Sequence, residues 1–136
     1  MSNTNEKNKR SALRNTDQKP TVDQIFAMMR QTMGSVPPAI EKAVAVDDEL
    51  LYEHLRSRAY AMPDEGAFDD ETRTLLYLAS ALAAGSDACI QAMANKVKIQ
   101  AIAPQKVLET VRIVRFALAT KILGDAEPVF EALRKI

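Results

Sequence analysis

The stretch Asp70–Met93, D-E-T-R-T-L-L-Y-L-A-S-A-L-A-A-G-S-D-A-C-I-Q-A-M, decides how this chain folds. From Asp70 to Ala84 it contains no glycine or proline. Its leucines and alanines recur at helical rather than alternating spacing, which predicts an α-helix. Asp69 or Asp70 is placed to cap it, and the run from Leu75 is apolar nearly all round, as a central buried helix would be. Gly85 supplies the stop, and Ser86 and Asp87 begin another helix at once. Ile90, Met93, Ala94 and Val97 form one stripe on that second helix. Cys89, the chain's one cysteine, falls in its first turn.

The same helical grammar extends outward. Upstream, T-V-D-Q (residues 21–24) is a capping box, with Val22, Ile25, Phe26, Met29 and Met33 following at helical spacing and Gly34 ending the run. Pro38 suits a first helical position, so Ala39–Val44 should form a short helix. Asp47 and Asp48 should cap the next, with Leu50, Leu51, Leu55 and Ala59 as its buried face. M-P-D-E-G (residues 62–66) reads as a turn. Downstream, Q-A-I-A (residues 100–103) is a loop into Pro104. A helix of roughly 20 residues then carries Val107, Val111, Val114 and Leu118 to Gly124. Asp125 and Pro128 start a last short helix with Val129, Phe130 and Leu133. No strand pattern survives beside these periods, so the expected class is all-α with six to seven helices.

Composition narrows the function classes. The chain has 136 residues, enough for one domain with a sizeable core and too few for two. Eighteen basic and 18 acidic side chains leave no net charge, which argues against nucleic acid or an anionic membrane engaged through bulk charge. Apolar residues reach 47% while aromatics are only 5%, so the core must be aliphatic, as packed helices prefer. A single cysteine allows no internal disulfide, and no apolar run reaches membrane-spanning length. A cytoplasmic protein is the expectation. Residues 1–19, with five basic and two acidic side chains and few apolar ones, should be a flexible polar tail, leaving 20–136 as the domain. Acidic groups at Asp47–Glu49, Asp64–Glu65 and Asp69–Glu71 fall where helix starts are expected, so capping explains them and no metal or cofactor is implied. The run A-N-K-V-K-I-Q-A-I-A-P-Q-K-V-L-E-T-V has the rhythm of a helix-turn-helix. Its second helix, however, offers only Lys106 as an early base and is too apolar for a groove.

The order D-E-x-x-R-x-L-L-x-L-A-x-x-x-x-x-G, then a helix with an early cysteine, then A-P-Q-K-V-L-E-T-V, resembles the carboxymuconolactone decarboxylase and alkyl hydroperoxidase D-like family. The likeness spans about residues 36–133 and includes A-L-A-T-K-I-L-G-D-A-E-P-V-F-E-A-L near the end. It implies an oligomeric helical domain, a trimer or hexamer, with small-molecule cavities at subunit interfaces. In redox-active members a C-x-x-C pair opens the second helix. A glutamate in the helix before it and histidines beside and after the second cysteine carry protons. Here those positions are Ser86 and Cys89, Thr74, Ala88 and Met93, and the glycine that ends the family's second helix is Ala101. The decarboxylase branch keeps the later histidine, which Met93 replaces.

Chemistry must then rest on one thiol. A dithiol cycle needs two sulfurs within bonding reach, which Ser86-x-x-Cys89 cannot supply. If Ser86 is the N-cap, Cys89 sits at the third helical residue, where free amides favour a thiolate and the Ser86 hydroxyl is the expected group to polarise it. Asp87 in the same turn, and packing among Leu82, Ala92 and Met93, would oppose that. The expectations are therefore a small-molecule-binding or structural homo-oligomer without dithiol peroxidase activity. Alternatives are a one-cysteine peroxidase using Cys89, and a decarboxylase-type enzyme on a small acid with Arg73, Arg112 and Arg115 holding the carboxylate. His54, the one histidine, lies on an earlier mixed-polarity helix as a surface or interface residue.

Overall fold

A computed structural model describes residues 19–135, and among these every regular element is a helix. They are α1 (Val22–Met33), α2 (Pro38–Val46), α3 (Glu49–Ala61), α4 (Asp70–Ala84), α5 (Asp87–Ile99), α6 (Pro104–Asp125) and α7 (Glu127–Arg134). The expected tail lies outside the described residues except for Lys19. That residue donates to Glu49 at 2.7 Å and sits 3.6 Å above the Tyr52 ring.

Local chemistry sets most of the helix ends. Thr21 Oγ1 accepts from the Gln24 amide at 3.2 Å, and the Gln24 side chain accepts from the Thr21 amide at 2.9 Å, completing the capping box. Asp69, not Asp70, caps α4 by accepting from the Thr72 amide at 2.7 Å. Those bonds hold the Asp69 carboxyl below the usual carboxylate range. Pro38 and Pro104 each occupy a first helical position. Gly34 and Gly85 end α1 and α4 with φ of +85° and +70°, the left-handed region that a side chain disfavours. The α5 terminus makes the same kind of turn with Ala101 at φ +50°. There the Ile102 amide reaches back to the Val97 carbonyl at 3.1 Å.

The two-residue turn at Gly85 and Ser86 folds α4 and α5 into a helical hairpin. α6 also packs on α4, so α4 is central, but it is covered along one stripe and not all round as its composition implies, with Leu76 49% exposed. Thr74, Leu78 and Ala81 of α4, Met93 of α5, Ile102, and Val114 of α6 are buried in this layer. α1 packs across α5, and with Leu51 of α3 it forms a second apolar cluster of Ile25, Met29, Val36 and Leu51.

Several expected buried positions are instead exposed. On α3, Leu51 is 1% exposed but Leu50 is 50% exposed, and Ala59 also faces out. The covered stripe there is Leu51, Tyr52 and Leu55, because only the first turns of α3 meet α1 and α2. Ala94 of α5 is exposed beside buried Met93. On α6 only Val114 is buried, while Val111 and Leu118 face out with all the large apolar residues of α7. α6 makes its main contact with α4, and α7 makes its main contact with α6.

Candidate functional site

Cys89 is the third residue of α5, with Ser86 as N-cap, and its side chain is half-buried. The Ser86 hydroxyl makes no capping hydrogen bond. The polar partner of the sulfur is instead Tyr77, about two turns before the end of α4, whose hydroxyl lies 3.2 Å from Cys89 Sγ. This contact crosses the hairpin, so it depends on how α4 and α5 align. Ser86 was the expected polariser of the thiol, and the phenol takes that place.

Tyr77 escaped the sequence reading. The available signal was its oddity: a phenol in L-L-Y-L, within an otherwise aliphatic helix, must send its hydroxyl to some partner. The bond to Cys89, then burial, push the Tyr77 phenol up to about 12. It therefore keeps its proton across the range in which thiols ordinarily ionise, and can serve as a hydrogen-bond donor to sulfur throughout.

Lys96 and Arg58 lie close to one another. Lys96 lies two turns beyond Cys89 on α5 and is partly buried. Burial, and then the nearby Arg58 guanidinium, push its ammonium below the ordinary lysine value, with Asp70 opposing. The Arg58 charge also bears on Tyr77, in the direction that favours the phenolate. Arg58 of α3 thus stands near both Tyr77 and Lys96.

Other candidates separate from this place. Arg73 clamps the α3–α4 loop: its guanidinium donates to the Pro63 carbonyl at 2.7 Å and to the Asp64 carbonyl at 3.4 Å. It is therefore engaged by the chain itself. Arg112 and Arg115 are exposed on α6. His54 is exposed on α3. Thr74 is buried, and its hydroxyl donates to Gln100 Oε1 at 2.8 Å, tying α4 to the strained end of α5. Lys106, the one early base of α6, pairs with Glu71 at 3.1 Å. Among the described residues no three His, Cys, Asp or Glu side chains converge as metal ligands. No described helix is long and apolar enough to cross a membrane.

Two cavities flank the hairpin without reaching the sulfur. One of about 60 Å³ lies between the α1–α2 junction and α5, lined by Met33, Ser35, Ala88 and Asn95 among others. It has room for water and is far below the several hundred Å³ of a typical ligand pocket. The other, about 300 Å³, is a shallow groove open to solvent beside Asp70, Glu71 and Gln100. Neither is lined by Cys89 or Tyr77. No model of a known protein family matches the chain, and no curated protein matches it.

Proposed function

We propose that this chain is a divergent carboxymuconolactone decarboxylase-like protein acting as a small-molecule-binding or structural homo-oligomer, without dithiol peroxidase activity. The observation that carries the reading is the Tyr77–Cys89 contact at 3.2 Å: the sole cysteine is partnered by a phenol, not by a second sulfur. A phenol cannot resolve a sulfenic acid into a disulfide. The family reading draws support from the α4–α5 hairpin. It draws more from Ala101, whose left-handed backbone falls where the family places glycine. The half-buried thiol, outside the two cavities that flank the hairpin, suits a ligand walled in by a neighbouring subunit.

A one-cysteine peroxidase is the second reading, favoured by the phenol donor and by the third-residue position of Cys89 in α5. In that chemistry the thiolate attacks a peroxide oxygen, the O–O bond breaks, and Cys89 becomes a sulfenic acid while an alcohol or water leaves. One external thiol condenses with it, releasing water. A second external thiol then frees Cys89 and leaves as the oxidised disulfide. A decarboxylase-type reading loses Arg73, whose guanidinium is held by backbone carbonyls.

Alkylation of Cys89 in the intact protein across pH, followed by peroxide challenge and mass spectrometry, separates the readings. The binding or structural reading expects slow alkylation that accelerates on unfolding and no trapped sulfenic acid. Rapid alkylation below the ordinary thiol range of about 8.5, with sulfenic acid formed, would establish the peroxidase reading instead.

A further inference from the structure

We draw no further inference here: the strongest candidate, the outer apolar face of α6 with Phe116 75% exposed and Ile122 68% exposed, carries nothing because nothing in the structure shows what covers it.

Discussion

At Ala101 the backbone adopts a conformation that a methyl side chain resists, φ +50°, because α5 closes with a turn normally built on glycine. The buried Ile102 and its bond to the Val97 carbonyl pin the turn in place. Ala101→Gly should therefore raise stability by about 0.5–1 kcal/mol, the relief of left-handed strain less the added freedom of an unfolded glycine. A higher denaturant midpoint at unchanged slope is the expected reading; an unchanged midpoint would mean the turn is not strained. Tyr77 makes a pH prediction. With its phenol up at about 12 in the folded chain and near 10 when unfolded, the folded state holds the proton more tightly. The associated stability is complete below about pH 10 and is lost as pH rises toward 12. Ultraviolet titration should find one of the three tyrosines ionising late, and Cys89→Ala should bring it back toward the ordinary value. Tyr77→Phe should lose stability less steeply than wild type over that alkaline range. The sequence drew attention to Cys89 because the residue is unique. Tyr77 could not be paired with it in advance, since that contact depends on the alignment of two helices.

Helix ends and helix faces were legible to different degrees. The capping box at Thr21 and Gln24, the cap at Asp69, the stops at Gly34 and Gly85 and the starts at Pro38 and Pro104 all stand where local chemistry places them. Each is settled within a few residues by backbone donors, acceptors and dihedral limits. Faces depend on neighbours. Leu50 and Leu51 are adjacent leucines in α3, both expected inside, and only Leu51 is covered. Leu51→Ala should cost about 3 kcal/mol by opening a cavity under α1, while Leu50→Ala should change stability by less than about 0.5 kcal/mol. Chemical denaturation of the two variants checks this, and equal losses would place Leu50 in an interface.

For the molecule as a whole, α4 occupies the centre that its unbroken apolar run predicts, with α5 and α6 packed on it. The long helix α6 is little covered for its apolar content: Val114 is its one buried residue among those described. Its outer apolar side is not covered by the other described helices. The sequence by itself determined the all-α class, several helix caps and stops, and the absence of an internal C-x-x-C pair, because periodicity, capping and a cysteine count are local or additive properties. Only the tertiary structure decided that Tyr77 rather than Ser86 partners Cys89, that Arg73 is tied to backbone carbonyls, and that the outer face of α6 stands uncovered. Those are distances between residues far apart in the chain, fixed when helices align and not by the residues that form each helix.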